Sequence, residues 1–416
     1  MIAEVVATGD EIRTGALVDT NSAWLSRKIE AMGITVSRHA CVGDDPAAIT
    51  GVLTEIGDRA DIAVVTGGLG PTGDDLTCEA AARAAGVSLE LNAGVLDMIR
   101  NYFAGRKLPM PDSNRKQALL PRGAAVLENP VGTAPGFSLT IGRCRFWFMP
   151  GVPFEMKRMF RDQVRPIIDG MMGPNRRAHL NRTLSVFGLT ESATEDRLRG
   201  LEQAFPGIKL GLRAKFPEIQ VKLYGAGSDR EALSNQMRAV EAWIAHRLGD
   251  RIFSMDGESM AAVVGRLLRH RKATLALAES CTGGLIANWM TDVPGSSDYF
   301  LLSAVTYAND AKSAVLGVSP GTIIRHGAVS VETATAMATG VRRIAGATYG
   351  LSVSGIAGPG GGTAEKPVGT VCIALAGPVA TNGTQVRLNF ASRDMNKSMF
   401  AMKAMDLLRR ELMGQG

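Results

Sequence analysis

The sequence predicts an α/β protein in which two domains with parallel sheets are joined by a smaller α+β module. Three observations support this prediction. The chain has 416 residues, too many for one core at a prior of about 150 residues per domain. Short apolar strands alternate with helical spacing at both ends of the chain, which is typical of parallel sheets covered by helices. The middle of the chain shows a strand with strict apolar and polar alternation instead.

Residues 1–170 form the first predicted domain. Their strand–helix–strand order predicts a parallel sheet with helices on both faces. Ligands of such sheets bind at the carboxyl ends of the strands, which is where the glycine-bearing turns of this segment fall. The predicted strands are 2–7, 35–41 and 61–66, and the predicted helices are 21–32 and 76–85.

Residues 175–250 form a predicted α+β module. A strand at 182–189 leads into a helix with a good N-cap at Thr190. A second strand follows, and a helix runs from 228 to 248. The module carries no recognisable catalytic chemistry.

Residues 254–416 form the second predicted α/β domain, where strand and helix alternate again. The predicted strands are 273–278 and 349–353, and the predicted helices are 258–270, 282–291 and 396–414. Both strands run into glycine-rich loops. This pattern predicts a ligand site at the carboxyl edge of the sheet in this domain as well.

Composition narrows the class of protein. The formal net charge is +6, but the basic residues are scattered and aromatic residues make up only 5%, so nucleic-acid binding is not expected. No apolar run approaches the roughly 18 residues of a membrane span, and the opening residues read as a strand rather than a signal peptide. The five cysteines are scattered, without metal-ligand spacing. We therefore expect a cytoplasmic enzyme without a membrane anchor.

Hydroxyl side chains and a lysine suggest acyl-transfer chemistry in the C-terminal domain. Ser280 follows a buried strand, Ser297 lies in a loop, and Tyr307 and Lys312 follow close behind. A lysine can serve as the base for a serine nucleophile when its amine is neutral, which requires burial or a cationic neighbour. Each residue also has an ordinary explanation: a helix cap for Ser280, a turn for Ser297 and a solvated surface position for Lys312.

Two aspartates suggest metal chemistry in the N-terminal domain. Asp74 and Asp75 follow a glycine turn that contains Gly68 and Gly70 and suits a phosphate. Carboxylates are hard ligands that suit Mg²⁺ or a similar ion. A solvated turn explains the pair equally well.

Several long motifs in one order resemble the CinA family, and together they span nearly the whole chain. Four lie in the C-terminal domain and two in the N-terminal domain. They are Ala278-Glu279-Ser280-Cys281-Thr282-Gly283-Gly284, Thr306-Tyr307 with Lys312, His326-Gly327-Ala328-Val329-Ser330, Ser354-Gly355-Ile356-Ala357-Gly358-Pro359, Thr66-Gly67-Gly68-Leu69-Gly70-Pro71-Thr72-Gly73-Asp74-Asp75 and Met149-Pro150-Gly151-Val152-Pro153. The resemblance implies two three-layer α/β domains, the first molybdopterin-binding-like and the second amidohydrolase-like, joined by a KH-like module.

For the C-terminal domain, the resemblance implies hydrolysis of nicotinamide mononucleotide to nicotinic acid mononucleotide and ammonia in pyridine-nucleotide recycling, with no cofactor. It implies a serine–lysine dyad, assigned here to Ser297 as nucleophile and Lys312 as base, with Tyr307 orienting the dyad or relaying a proton. Ser280 remains the alternative nucleophile. The residues expected to bind substrate or the oxyanion are Ser280, Thr282, Gly283, Gly284, Gly355 and Gly358.

For the N-terminal domain, the resemblance implies cleavage of ADP-ribose at its diphosphate by a divalent metal, with Asp74 and Asp75 as metal ligands and Gly68 and Gly70 at the substrate. One alternative is a domain that only binds a pterin or nucleotide. Another is a nucleic-acid partner in competence or repair, but residues 175–250 lack the Gly-x-x-Gly clamp of such modules. A homodimer is expected.

Overall fold

The computed structural model describes residues 1–173 and 178–414. The strands in this part of the chain are β1 (Ile2–Thr8), β2 (Thr35–Val42), β3 (Ile62–Thr66), β4 (Leu89–Leu91), β5 (Leu119–Pro121), β6 (Ala125–Leu127), β7 (Gly136–Ile141), β8 (Cys144–Met149), β9 (Ala178–Val186), β10 (Ile208–Lys215), β11 (Glu218–Gly227), β12 (Ile252–Ser254), β13 (Leu275–Glu279), β14 (Phe300–Val305), β15 (Tyr349–Gly355), β16 (Thr370–Ala376) and β17 (Thr381–Arg387).

Sixteen α-helices lie in the same described residues. They are α1 (Asp10–Arg13), α2 (Thr20–Ala31), α3 (Pro46–Arg59), α4 (Thr77–Ala84), α5 (Ala93–Ala104), α6 (Pro153–Met159), α7 (Arg165–Met171), α8 (Glu191–Leu198), α9 (Leu201–Ala204), α10 (Arg230–Leu248), α11 (Met260–His270), α12 (Leu285–Thr291), α13 (Asn309–Leu316), α14 (Pro320–His326), α15 (Val331–Ala345) and α16 (Arg393–Leu412). The chain divides into two compact units, Met1–Leu180 with Ala226–Ser234 and Asn181–Gly225 with Asn235–Gly416.

The N-terminal sheet has the order β2-β1-β3-β8-β7-β6. Its β1, β2, β3 and β8 are parallel, and β7 and β6 are antiparallel. Alternate residues of each strand face opposite sides, so Val6 and Val65 pack under α3, α4 and α5, while Val5 and Val64 pack under α2 and α6. This three-layer arrangement confirms the predicted fold class for residues 1–170. It brings the carboxyl ends of four parallel strands to one edge.

The middle segment forms a four-stranded sheet in the order β10-β11-β9-β12. Strands β10 and β11 are an antiparallel hairpin in which Leu210 pairs with Leu223. The predicted alternation in β11 is confirmed, because Ile219, Val221 and Leu223 are buried. The predicted strand at 182–189 begins earlier, at Ala178, and ends at Val186.

The C-terminal sheet has the order β14-β13-β15-β16-β17. Strand β13 is parallel to β14 and β15, and β16 and β17 are antiparallel. Leu275 and Leu277 of β13 pack with α11, α12 and α16 on one face. Ala276 and Ala278 pack with α13 and α15 on the other, so the small alanine side chains allow close helix approach. Among the described residues, no helix is long and apolar enough to cross a membrane.

Candidate active site

The carboxyl ends of β13, β14 and β15 meet at one edge of the C-terminal sheet and surround a cavity of about 260 Å³. The segments that follow these three strands form much of its wall, and Ala328, Val329 and Arg393 come from other parts of the chain. Its lining residues are Ser280, Cys281, Tyr307, Asn309, Lys312, Ala328, Val329, Ser354, Gly355, Ile356, Ala357, Gly358, Gly360, Gly361 and Arg393. The predicted edge of the sheet therefore brings Ser280, Tyr307 and Lys312 together.

Lys312 is a buried lysine on the first turn of α13, with a relative exposure of 1%. Its Nζ lies 2.8 Å from the carbonyl oxygen of Thr306, 3.2 Å from that of Tyr307 and 3.2 Å from Ser280 Oγ. The ordinary explanation of a solvated surface lysine is therefore wrong. Lys312 lies next to Ser280 at the floor of the cavity.

Burial lowers the pKa of Lys312, because the ammonium form loses its hydration. The hydrogen-bond partners of Nζ are three oxygen atoms, which can accept from an ammonium and which also suit a neutral amine. Two are carbonyl oxygens that only accept, and they take the two N–H groups of an amine. The third, the Ser280 hydroxyl, can donate its proton to the remaining lone pair. The geometry therefore matches a base aimed at the Ser280 proton.

Ser280 is the first residue after β13, and its N–H donates to the carbonyl oxygen of Val353 on β15. This bond extends the sheet by one step and holds the serine at the cavity. The neighbouring Cys281 also lines the cavity, but burial raises the pKa of its thiol to about 12. A thiol in that state is a poor nucleophile at neutral pH, so Ser280 is the better candidate.

Glu279 holds the turn that follows Ser280. Its carboxylate is fully buried and accepts hydrogen bonds from the N–H groups of Gly284, Ile286 and Ala287. These are the unpaired N–H groups of the first turn of α12, which favour an anion. The predicted helix at 282–291 therefore begins later, at Leu285, and Ser280 is not its cap.

Loss of this carboxylate is expected to destabilise the C-terminal domain. We expect Glu279→Ala to lower the free energy of unfolding by about 3 kcal/mol, because three N–H groups would lose a charged acceptor inside the protein. Glu279→Gln keeps one carbonyl acceptor and should lose less. Thermal unfolding followed by circular dichroism measures both, and an unchanged transition for Glu279→Ala would contradict the capping role.

The first glycine pair does not offer its N–H groups to a substrate. Gly284 donates to Glu279, and Gly283 donates to the carbonyl oxygen of Ser280. Neither glycine lines the cavity, and their expected contact with substrate or the oxyanion stays a prediction. Thr282 is fully buried and does not line the cavity, and its hydroxyl has no hydrogen-bond partner among the described residues. Gly355 and Gly358 of the second glycine loop do line the cavity, as predicted.

Tyr307 lies at the rim of the cavity and contributes through two different atoms. Its carbonyl oxygen accepts from Lys312, whereas its side chain is 63% exposed. The Tyr307 hydroxyl accepts a hydrogen bond of 2.9 Å from Arg393, which also donates to the carbonyl oxygen of Gly358 at 2.6 Å. Arg393 thus ties the tyrosine to the glycine loop across the cavity mouth.

Ser297 does not line this cavity, so the described chain does not bring it to Lys312, and its predicted role as the nucleophile stays a prediction. It is an exposed residue of the short 3₁₀ turn Ser296–Asp298, just before β14 begins. Ser280 follows the opposite end of the parallel neighbour β13. The length of a five-residue strand, roughly 16 Å, separates those two edges. Ser280, the alternative nucleophile, is the serine beside the lysine.

A second cavity of about 440 Å³ lies at the carboxyl edge of the N-terminal sheet. The residues after β1, β2, β3 and β8 contribute to it. Gly68, Gly70, Asp74 and Asp75 all line it, as the sequence predicts. The other polar side chains in the lining are Thr8, Glu11, Asp19, Thr20, Asn21, Asp44, Thr66, Gln117, Thr133 and Glu155.

The two predicted metal ligands have different surroundings. Asp75 accepts hydrogen bonds from the N–H and hydroxyl of Thr72, and a Cβ at Gly70 would lie 2.4 Å from its Oδ2. Asp75 therefore also stabilises the turn between Gly70 and Asp75 through these contacts. Asp74 is exposed. Burial raises the pKa of the Asp44 carboxyl, and the negative charges of Asp10, Glu11 and Asp74 raise it further.

These carboxylates fit a divalent cation only in part. Within the described residues, no group of three histidine, cysteine or acidic side chains is arranged to hold a metal ion. Mg²⁺ commonly binds through one or two carboxylates, substrate phosphates and water. Asp74 and Asp75 would supply the carboxylates in such a site, and a phosphate-bearing ligand would supply the rest.

Sequence reasoning missed three residues that the structure places at these sites: Glu279, Arg393 and Asn21. A signal exists for Glu279, since a charged residue at the end of a buried strand needs buried partners. Arg393 follows its site partners by many residues, and Asn21 lies on an ordinary helix. Their positions depend on chain packing.

The fold is that of a multidomain α/β protein with a cavity at the carboxyl edge of each parallel sheet. Family models match three successive segments of the chain. Residues 4–170 match a probable molybdopterin binding domain, 181–254 the damage-inducible protein CinA KH domain, and 257–412 the CinA C-terminal domain. The order is the one that the sequence motifs predict.

Full-length relatives extend this similarity. A CinA-like protein of Desulfosudis oleivorans is 52% identical over 413 residues, covering 99% of this chain and 100% of the relative. The nicotinamide-nucleotide amidohydrolase PncC of Shewanella oneidensis is 40% identical, with 99% and 96% covered. The crystal structure of the competence/damage inducible protein CihA of Agrobacterium tumefaciens is 36% identical and covers 36% of this chain and 94% of that chain, with a TM-score of 0.35. The chain belongs to the CinA-like protein family.

Proposed function

We propose that the C-terminal domain hydrolyses the carboxamide of nicotinamide mononucleotide to nicotinic acid mononucleotide and ammonia. The observation that carries the proposal is the contact of 3.2 Å between Ser280 Oγ and the buried Lys312 Nζ inside the cavity. The relative from Shewanella oneidensis, named a nicotinamide-nucleotide amidohydrolase, supports the choice of substrate.

The reaction follows from the two side chains. Ser280 Oγ adds to the carboxamide carbon while its proton passes to Lys312 Nζ. Lys312 then gives that proton to the departing nitrogen, the C–N bond breaks, and ammonia leaves an ester on Ser280. Water adds to the ester, Lys312 takes its proton, and the proton returns to Ser280 Oγ as the acid is released. No cofactor enters this sequence.

Arg393 is suited to hold the nucleotide part of the substrate. It lines the cavity, and its two bonds to Tyr307 and Gly358 leave further guanidinium N–H groups for a phosphate. The carboxamide would then lie at Ser280, at the inner end of the cavity.

Ammonia release from nicotinamide mononucleotide by the purified full chain tests the proposal. Stoichiometric formation of ammonia and nicotinic acid mononucleotide is the expected result. A folded protein that releases no ammonia above the uncatalysed rate would overturn it.

For the N-terminal domain, we propose metal-dependent hydrolysis of the ADP-ribose diphosphate. The observation that favours this second activity is the cavity of about 440 Å³, where glycine turns meet the carboxylates of Asp44, Asp74 and Asp75. Glycine turns allow close approach of a diphosphate, and a divalent cation such as Mg²⁺ would neutralise its charge when bound.

Asp74→Asn is expected to reduce ADP-ribose cleavage at least about a hundredfold, since a neutral amide is a poor substitute for a metal carboxylate. Ammonia release at the C-terminal site should be unchanged. Asp97→Asn, which alters an exposed aspartate of α5 outside the cavity, is the matched control. Unchanged cleavage in Asp74→Asn would contradict the metal role. Nucleotide binding without cleavage by the unaltered chain would make the domain a binding domain.

A further inference from the structure

Another cavity, of about 240 Å³, lies where the turn of the β10–β11 hairpin meets α11, α12 and α16. It shares no lining residue with the two cavities at the sheet edges, so it is separate from both. All of its lining residues belong to the second compact unit of the chain. The cavity therefore lies at the boundary between the middle module and the C-terminal domain, away from Ser280 and Lys312.

The wall of this cavity suits the apolar body of a small molecule. Three buried methionines contribute flexible, polarisable side chains to it: Met260, Met402 and Met405. Trp289 is half-buried on the last turn of α12. Phe216 is 41% exposed, although Phe390 packs edge-on against its ring with 5.1 Å between the ring centroids. An apolar ligand beside these two aromatic side chains would remove apolar surface from water.

The charged groups of the lining favour a positive ligand. Asp292 directly follows α12, and it lines the cavity together with Trp289. Among the described residues Asp292 has no cationic partner, and its contact with Asn288 Nδ2 is long, at 3.5 Å. Lys215 is the one basic residue of the lining, and its ammonium already pairs with Glu218 at 3.0 Å. The lining thus carries one carboxylate in excess.

We propose that this cavity binds a small organic cation with an apolar body, whose positive charge lies beside Trp289 and Asp292. The face of an aromatic ring attracts a cation, and tryptophan does so most strongly. Asp292 adds a negative charge that no side chain of the protein neutralises. An inorganic ion would gain nothing from the methionines and aromatic rings, because it has no apolar surface to bury. The assignment is independent of the two reactions proposed above.

Binding of 1-methylquinolinium to the full chain tests the proposal, because this probe combines a flat bicyclic body with a delocalised positive charge. Ligand-observed NMR titration measures its dissociation constant, which we expect to be on the order of 1 mM for a molecule of this size. The neutral counterpart, 4-methylquinoline at about pH 8, has nearly the same shape and no charge. It should bind about threefold more weakly.

Asp292→Asn removes the charge and keeps the shape of an exposed side chain, so it should not disturb folding. We expect it to weaken 1-methylquinolinium about threefold at low salt and to leave 4-methylquinoline unchanged. The loss should shrink in about 1 M NaCl, which screens an exposed charge. Asp298→Asn is the matched control, because Asp298 is an exposed aspartate that lines none of these cavities. It should bind both probes as the unaltered chain does.

Trp289→Leu removes the aromatic ring and should weaken 1-methylquinolinium about tenfold. Trp289→Phe restores an aromatic face and should recover part of that loss. Tyr307→Leu is the control for the cavity that contains Ser280, since Tyr307 is an exposed aromatic residue at its rim. The Tyr307 variant should bind the probe as tightly as the unaltered chain.

Three results would overturn the proposal. The first is no binding of 1-methylquinolinium by the unaltered chain at about 10 mM. The second is a loss of binding in Tyr307→Leu with none in Trp289→Leu, which would place the cation beside Ser280 instead. The third is equal weakening of both probes by Trp289→Leu with no effect of Asp292→Asn, which would make the cavity a site for neutral apolar molecules.

Discussion

Ser280→Ala is expected to abolish ammonia release from nicotinamide mononucleotide, with a loss of at least about a thousandfold in kcat. The hydroxyl lies 3.2 Å from Lys312 Nζ, and alanine leaves the lysine without a proton to accept and the carboxamide without a nucleophile. Substrate affinity should change little, because the methyl group of alanine fits the space of the serine. Steady-state kinetics and calorimetric titration of the inactive variant measure the two quantities separately.

Ser297→Ala is the matched control for this loss. Ser297 is exposed before β14, at the other edge of the sheet, so we expect activity close to that of the unaltered chain. The opposite pattern, with activity retained in Ser280→Ala and lost in Ser297→Ala, would sink the assignment of Ser280. It would mean that the working site uses a serine from another copy of the chain.

Lys312→Met is expected to lose ammonia release to a similar extent, because Lys312 Nζ is the base within reach of Ser280 Oγ. Lys312→Arg distinguishes a base from a positive charge. Arginine keeps the charge and much of the length, but it stays protonated in proteins and cannot take the serine proton. We therefore expect both variants to be inactive, and substantial activity in Lys312→Arg would show that the lysine acts only as a cation.

The pH dependence of kcat/KM should report the state of Lys312. Burial lowers its pKa from the ordinary lysine value, and only the neutral amine can act as the base. The rate should therefore rise with pH through the lowered pKa and reach its plateau below the pH at which an exposed lysine titrates, near 10.4. A rate that continues to rise up to that pH would contradict a neutral lysine in the free enzyme.

The architecture could be predicted from the sequence because the spacing of apolar residues along a short segment indicates whether that segment forms a helix or a strand. The strand that precedes Ser280 and the strand that precedes Gly67 are continuous apolar runs, and each ends in a glycine-bearing loop. Parallel strands end at a common edge, so the two ligand regions follow from the strand positions alone. Gly68, Gly70, Asp74, Asp75, Gly355 and Gly358 all line the cavities where this reasoning places them.

The choice of nucleophile could not be made in the same way. Ser297 is fifteen residues from Lys312 and Ser280 is thirty-two, so distance along the chain favours Ser297, whereas the structure places Ser280 beside the lysine. Because β13 pairs in parallel with β14, Ser280 lies closer to Lys312 in the folded chain than Ser297 does, although it is farther from Lys312 along the sequence. The end of β13 lies beside the end of β14, and α13 starts just beyond it, which brings Lys312 back to Ser280.

By itself, the sequence determined the fold class, the two glycine-bearing edges and the residue types available for chemistry, because these depend on local periodicity and on the side chains themselves. The tertiary structure decided which of those side chains meet. The proximity of Ser280 to Lys312, the capping of α12 by Glu279 and the cavity beside Trp289 all arise where separate segments pack together. Burial at those contacts then sets the chemical state of each group, including the lowered pKa of Lys312.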